Sequence, residues 1–121
     1  MTWEYDVRKA EFYKDGVFMF NSEYAGTIGY YNDPAKECVK NKGPLPRGKY
    51  TIGAPYNSTK TGPYTLPLIP DSSNNMCGRD EFRIHGDSRR DPGTASEGCI
   101  ILIIKHRKKI YSSKDTDLLV K

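Results

Sequence analysis

The stretch from Arg83 to Leu102, "RIHGDSRRDPGTASEGCIIL", holds one of the chain's two histidines and one of its three cysteines. A thiol attacks a carbonyl carbon well only as the thiolate, so a nucleophilic cysteine needs a base beside it. His85 can act as that base and Cys99 as the nucleophile if the intervening loop folds back. The same residues also fit a packing cysteine near an unrelated histidine, because free cysteine is among the most buried residue types.

A strand and a polar loop must position these two residues. "EFRIH" predicts a strand that presents His85 on the face opposite Phe82 and Ile84. Residues 86–98 are almost all small, polar or charged and predict a surface loop, and "CIILII" predicts a buried strand or the start of a helix. The Gly98–Cys99 backbone at the end of the loop could offer N–H groups to an oxyanion.

The rest of the chain predicts a mainly β domain with one short helix. Asp15-Gly16 lies between two aromatic-rich runs and predicts a β-hairpin. "KYTIG" and "TDLLV" predict further strands, and Pro67 places "YTLPLIP" at a sheet edge. "KHRKKIYSS" predicts the helix, with the basic run from Lys105 to Lys109, including His106, as a solvated face.

Composition limits the class of protein. The chain has 121 residues, 36% of them hydrophobic and 28% charged, which predicts one globular domain over residues 1–121. No apolar run approaches the ~20 residues of a membrane span, so membrane insertion is not expected. The net charge of +4 favours an anionic partner. No RNA-binding or zinc-finger motif supports nucleic acid, and we expect no metal and no cofactor.

The three cysteines cannot all pair within the chain. None lies in a C-x-x-C arrangement, so at least one thiol stays free. If a disulfide forms, Cys38 with Cys77 is the natural pairing because it spares Cys99, although sequence alone does not decide connectivity.

The first residues carry no secretory signal. "MTWEYDVRKAEF" mixes charged and apolar residues and contains no continuous apolar stretch. We therefore expect a protein made in the cytoplasm, which another route would have to export unless a signal had already been removed.

Two segments resemble a known family. His85-Gly86 followed by "SEGCI", with Ser96, Gly98 and Cys99, resembles the signature of the L,D-transpeptidase (YkuD-type) catalytic domain. "GPLPRGKYTIG" resembles the segment that precedes the active site in that family. Glu97 stands where most of the family has histidine, and Ile101 where many members have arginine. The pattern "HGD…PGTAS-x-GCI" is most similar to the L,D-transpeptidase-like toxins exported by type VI secretion.

The resemblance implies an L,D-transpeptidase-like β-sandwich or barrel that acts on peptidoglycan stem peptides. Cys99 would attack the diaminopimelate carbonyl before the terminal D-alanine, with His85 as general base and then general acid. Water would complete an L,D-carboxypeptidase reaction, and a D-amino acid would complete an exchange by L,D-transpeptidation. The auxiliary residues expected at the site are Ser96, Gly98 and Gly86, and the candidates for binding substrate carboxylates are Arg83, Arg89 and Arg90.

The same branch implies a monomeric toxin secreted into the periplasm of a target cell, with the secretion machinery and a cognate immunity protein as further partners. An alternative from another class stays open. Because Glu97 replaces the family histidine, the chain could also be a catalytically inactive wall-binding or basic interaction module with the same fold.

Overall fold

The computed structural model describes residues 2–121 and consists mainly of short β-strands. One α-helix, α1, spans Ile104–Ser112, and a 3₁₀ turn spans Pro34–Lys36. The predicted mainly β class with one short helix is confirmed. No helix within residues 2–121 is long and apolar enough to cross a membrane. The strands are β1 (Trp3–Asp6), β2 (Glu11–Lys14), β3 (Val17–Asn21), β4 (Tyr24–Ala25), β5 (Gly48–Ile52), β6 (Tyr56–Ser58), β7 (Gly62–Pro70), β8 (Arg83–His85), β9 (Ile100–Ile101) and β10 (Asp117–Val120).

Asp15 and Gly16 form the predicted hairpin turn between β2 and β3. Both have positive φ, 51° and 82°, as a two-residue turn of type I′ requires. The hairpin pairs Phe12 with Phe20, and their buried rings have centroids 5.5 Å apart. Together with Trp3 they form an aromatic part of the core.

The strands form one sheet in the order β3, β2, β1, β10, β5, β7, β8, β9, β4, with β6 pairing beside β7. The β1–β10 and β8–β9 pairs are parallel. A parallel pair needs a crossover connection rather than a tight turn. The segment that connects β8 to β9, which carries the polar loop of the motif, is therefore such a crossover.

β7 is an interior strand, so the predicted edge position of Pro67 is wrong. β7 pairs with β5 on one side and with β8 on the other. Leu68 donates its N–H to the Phe82 carbonyl on the β8 side, so the neighbouring Pro67 faces β5. There the ladder ends at the Ile52–Leu68 pair, and the Pro67 carbonyl accepts the Gly53 N–H at 2.8 Å. Pro67 has no N–H to donate, but the ladder has already ended at its position. The proline therefore loses no hydrogen bond.

Helix α1 packs against β7 and β8 and buries Ile110 completely. The lysines of its basic run are exposed, as predicted for a solvated face. Arg107 in the same run is buried, so that prediction is wrong for this residue. His106 is half-buried rather than on the surface, and its ring stacks on Phe20 with the centroids 4.0 Å apart.

Cys38 and Cys77 form a disulfide, with their Cα atoms 5.3 Å apart. The pairing expected from the sequence is confirmed, and Cys99 is the free cysteine. The bond joins the segment that follows the 3₁₀ turn to the loop between β7 and β8. That loop leads directly to the strand that carries His85.

Candidate active site

The fold brings His85 and Cys99 together through the parallel pair of β8 and β9. His85 lies opposite Ile101. Cys99 precedes Ile101 by two residues, so an extended chain carries its side chain on the same face of the sheet as His85. Strands about 4.8 Å apart with a rise of about 3.3 Å per residue place the two Cα atoms roughly 8 Å apart. Both residues line one cavity.

The crossover between β8 and β9 is held against β4 by a buried tyrosine. The Tyr24 hydroxyl donates to the Asp87 carboxylate at 2.6 Å and accepts the Ala95 N–H at 2.9 Å. Asp87 also accepts the Gly93 N–H at 3.1 Å. Burial and the neighbouring Asp87 raise the pKa of Tyr24, so its hydroxyl remains a donor. These bonds fold the polar loop back, which is the condition for the two ends of the motif to meet.

Ser96 shapes the turn that presents Cys99. Its buried hydroxyl donates to the Cys99 carbonyl at 2.7 Å and accepts the N–H groups of Gly98 and Gly26, each at 3.0 Å. Within residues 2–121 this hydroxyl makes no hydrogen bond to His85. The auxiliary role that this geometry supports for Ser96 is therefore to form the turn and not to hold the histidine.

His85 is 3% exposed, and its ring is oriented by the residue that follows it. Nδ1 lies 2.9 Å from the Gly86 carbonyl oxygen. Because a carbonyl only accepts, Nδ1 carries the proton, and in the neutral ring Nε2 keeps its lone pair. Burial lowers the pKa of His85, and the positive charges of Arg107 and Arg83 lower it further. At neutral pH the imidazole is a neutral base, and Gly86 acts through its carbonyl.

The Cys99 thiol is partly exposed, and its surroundings act on ionisation in both directions. Burial raises the pKa of Cys99, while the Arg83 backbone N–H and the charges of Arg83 and Lys60 lower it. The Glu97 carboxylate raises the pKa slightly further. The resting cysteine is therefore a neutral thiol, whose proton has to be removed as it reacts.

The expected oxyanion role of Gly98 has no support in the geometry. Its N–H is donated to Ser96, and its carbonyl accepts the Leu45 N–H at 3.0 Å. A different backbone donor, the Arg83 N–H, lies near enough to Cys99 to lower its pKa. The sequence carried no sign of this donor, because only the register of β8 against β9 brings it to Cys99.

A cavity of about 550 Å³ opens over the two residues. Arg83 lines it, as expected, whereas Arg89 and Arg90 are exposed in the crossover loop and lie outside its lining. Lys60, from the turn between β6 and β7, lines it as well, although nothing in the sequence indicated this lysine. Within residues 2–121 no group of three or more His, Cys, Asp or Glu side chains could hold a metal ion. The charged residues of the lining are Lys40, Lys60, Arg79, Arg83, Asp80, Glu81 and Glu97.

Two buried arginines flank the site, and sequence reasoning missed both as site residues. Arg107 donates from Nε to the Tyr64 carbonyl at 2.9 Å and from Nη2 to the Pro63 carbonyl at 3.1 Å. A Cβ on Gly86 would approach its Nη1 to 3.2 Å, so Arg107 lies directly behind the His85 segment. Arg79 lies on the other side, where its Nη2 donates to the Glu97 carbonyl at 3.0 Å.

The fold is similar to that of an L,D-transpeptidase. The chain aligns over 99% of its length with the L,D-transpeptidase (Yku) from Stackebrandtia nassauensis, with a TM-score of 0.56 and 18% sequence identity. The alignment covers 54% of that protein, so the chain spans about half of its length. A search of curated proteins finds no match.

Residues 20–116 match the family model of the Tlde1 domain. The match covers most of the chain, which therefore belongs to the Tlde1 domain family, a family of type VI L,D-transpeptidase effectors. The resemblance that "HG" and "SEGCI" carry is confirmed at the level of the family.

Proposed function

We propose that this protein is an antibacterial peptidoglycan-modifying effector that acts as an L,D-carboxypeptidase, an L,D-transpeptidase, or both. Its substrate is the tetrapeptide stem, cleaved between diaminopimelate and the terminal D-alanine. The observation that carries the proposal is the hydrogen bond from His85 Nδ1 to the Gly86 carbonyl, at 2.9 Å. With the proton on Nδ1, Nε2 keeps its lone pair and can act as the general base. The Cys99 thiol lines the same cavity.

The reaction proceeds through a thioester. Cys99 Sγ attacks the carbonyl carbon of diaminopimelate while His85 Nε2 takes the thiol proton. The C–N bond to D-alanine then breaks, and the imidazolium returns the proton to the leaving amine. Water resolves the thioester to a tripeptide, and a D-amino acid resolves it by exchange. In either case His85 takes a proton from the incoming nucleophile and returns it to sulfur.

The electrostatics of the pair support general-base chemistry rather than a resting ion pair. The pKa of His85 is lowered and that of Cys99 is raised, in both cases mainly by burial. The neutral thiol and neutral imidazole are therefore favoured at neutral pH. Proton transfer has to accompany attack, which ties cleavage to a bound substrate.

Arg83 and Lys60 are the side chains best placed to bind a substrate carboxylate. Both line the cavity, and both lie close enough to Cys99 for their charges to lower its pKa. Neither forms an ion pair within residues 2–121. The substrate-binding role expected for Arg89 and Arg90 lacks this support.

The proposed place of action is the periplasm of a target cell, reached by type VI secretion. The Cys38–Cys77 disulfide supports this, because such bonds persist in oxidising compartments, including the bacterial periplasm, and are rare in the cytosol. A producing cell would then need an immunity protein. We expect the effector to act as a monomer.

A second candidate is an inactive wall-binding module with the same fold. The raised pKa of Cys99 favours it, since a protonated thiol is a weak nucleophile. Glu97, in the position where the family usually has histidine, favours it too. This candidate requires no contribution from His85 to the reactivity of Cys99.

The deciding experiment incubates the purified protein with a disaccharide-tetrapeptide and follows the tripeptide and free D-alanine by mass spectrometry. We expect release by the wild type, loss of release in Cys99→Ala and His85→Ala, and retention in His106→Ala, which controls for removal of a histidine. Absence of D-alanine release, or equal release by the Cys99 variant, would reject the mechanism. Alkylation of Cys99 at equal rates in wild type and His85→Ala would favour the binding module.

A further inference from the structure

Arg79 is a buried cation beside the loop that carries the nucleophile, with its hydrogen bonds directed to backbone carbonyls. It is 6% exposed. Nη1 donates to the carbonyls of Glu37 and Pro44, and Nη2 to those of Gly43 and Glu97. Within residues 2–121 no carboxylate forms an ion pair with it. A buried charge is costly unless it is hydrogen-bonded, and four carbonyls from three segments offset this cost.

A disulfide joins two of the segments that hold Arg79, and we call residues 37–38 and 77–79 together the disulfide-braced base. Glu37 directly precedes Cys38, and Arg79 follows Cys77 by two residues. The Cys38–Cys77 disulfide therefore joins the segment that supplies Arg79 to a segment that it binds. Only the contact with Glu97 reaches forward, from this braced base to the loop that carries Cys99.

Gly98, the residue before Cys99, is packed directly against the guanidinium. A Cβ at this position would lie 2.7 Å from Arg79 Nη2 and 2.7 Å from the Phe82 ring. The guanidinium itself lies over that ring, with its central carbon 5.0 Å from the centroid. Moving the guanidinium would thus change the surface on which Gly98 rests, and with it the position of Cys99.

The positive charge of Arg79 lies near the same cysteine. Arg79 lines the cavity that Cys99 lines. Burial lowers the pKa of Arg79, and the negative charge of an ionised Cys99 opposes that shift, because the thiolate and the guanidinium attract each other. Because no acid within residues 2–121 pairs with Arg79, its charge is available to the thiolate.

We propose that Arg79 is a positioning residue for the nucleophile, which sets the loop before Cys99 from a disulfide-braced base and supplies the positive charge that stabilises the thiolate. The inference rests on the proposed role of Cys99. It assigns to a loop arginine, far from Cys99 in sequence, a function that the motif around Cys99 does not contain.

The test follows the alkylation of Cys99 by iodoacetamide between pH 6 and 10.5, by intact-protein mass spectrometry without reductant. Arg79→Met removes both charge and geometry, and we expect its alkylation at pH 8 to be about tenfold slower, with the curve moved to higher pH. Arg79→Lys keeps the positive charge but loses the planar, forked guanidinium that bonds several carbonyls at once. We expect its alkylation curve to match the wild type within about twofold, while kcat for tripeptide formation falls about tenfold at nearly unchanged KM.

Arg47→Met is the matched control, because Arg47 bonds the Glu37 carboxylate at 2.9 Å but is exposed and outside the cavity. It should alkylate like the wild type. A folded Arg79→Met variant with the wild-type curve overturns the inference, and so does an equal slowing in Arg47→Met. If Arg79→Met does not fold, Arg79→Lys decides: wild-type alkylation together with wild-type kcat overturns it. If the wild type releases no D-alanine, the proposed function fails, while the alkylation contrast between Arg79→Met and Arg47→Met still tests the position and charge of Arg79.

Discussion

The hydroxyl of Ser96 donates a hydrogen bond to the carbonyl oxygen of Cys99, 2.7 Å away. The Ser96 hydroxyl oxygen in turn accepts the N–H of Gly98, between the two residues, and the N–H of Gly26 on a neighbouring segment. One buried side chain thereby satisfies three backbone groups around the candidate nucleophile. This hydroxyl therefore stabilises the turn that presents Cys99, together with the backbone hydrogen bond from Leu45 to Gly98.

Replacing Ser96 by alanine removes all three hydrogen bonds at once. Each buried group left without a partner costs about 1–3 kcal/mol, so we expect Ser96→Ala to lower the free energy of unfolding by at least about 2 kcal/mol. Urea denaturation measures this. Ser88→Ala is the control, since Ser88 accepts one exposed N–H in the same loop. A Ser96 variant as stable as the Ser88 variant would show that the turn holds without the hydroxyl.

Gly98→Ala tests how closely the nucleophile loop is packed. Gly98 has φ +147°, and an added Cβ would collide with Arg79 and Phe82 at 2.7 Å. We expect a loss of at least about 2 kcal/mol in unfolding free energy, from backbone strain and overpacking together, and a large loss of turnover. Gly29→Ala has the same class of positive φ, +87°, with nothing within 4 Å of the added Cβ. It should cost about 1 kcal/mol and leave turnover intact. Equal costs at the two positions would contradict the tight packing.

Stability should fall as the pH is lowered below the ordinary pKa of histidine, and His85 should cause part of that fall. Burial lowers the pKa of His85 from its ordinary value of 6.5. The unfolded chain therefore takes up the proton before the native state does, and the free energy of unfolding decreases as pH drops through this window. The contribution is at most about 1.4 kcal/mol for each pH unit within the window.

Urea denaturation at pH 7.5, 6.5 and 5.5 measures this dependence in the wild type, His85→Asn and His106→Asn. Burial lowers the pKa of His106 as well, so each variant should flatten the dependence in part. Glu23, whose pKa is raised by burial, is present in all three proteins, so its contribution does not change the comparison between them. A His85→Asn variant with the wild-type slope would mean that His85 is not held neutral in the native state.

The same lowered pKa predicts the acid limb of catalysis. His85 has to be unprotonated to accept the thiol proton, so kcat/KM for tripeptide formation should fall only below pH 6.5. Rates of D-alanine release across pH 5 to 8 give this profile. An acid limb well above pH 6.5 would assign the base to another group.

Replacing Arg83 or Lys60 should weaken substrate binding, in addition to the effect of their charges on the pKa of Cys99. Removing a cation that meets a substrate carboxylate costs about 1.5–3 kcal/mol, so Arg83→Gln and Lys60→Gln should each raise KM by about tenfold or more. Arg90→Gln is the matched control, because Arg90 lies outside the cavity lining. Steady-state kinetics with the tetrapeptide distinguishes the three variants. An unchanged KM in both cavity variants would remove the proposed carboxylate site.

Local features of the fold were readable from a few neighbouring residues. The hairpin at Asp15-Gly16 formed as predicted, because the preference for positive φ belongs to those two residues. The edge position predicted from Pro67 was wrong, because a proline excludes an interior strand only where its missing N–H would have had a partner. The end of the β5 ladder, which decides this, depends on a separate part of the chain.

For the site, the sequence by itself determined the order and spacing of His85 and Cys99, the turn-forming residues between them and the family they indicate. Tertiary structure alone decided which groups act on that pair. The Gly98 N–H is already bonded, the Arg83 N–H and the charge of Lys60 lower the pKa of Cys99, and Arg79 is buried. The carbonyls that make burial of Arg79 tolerable lie 18 to 42 residues away along the chain. Backbone preferences are local, whereas desolvation and charge depend on which distant segments the fold packs together.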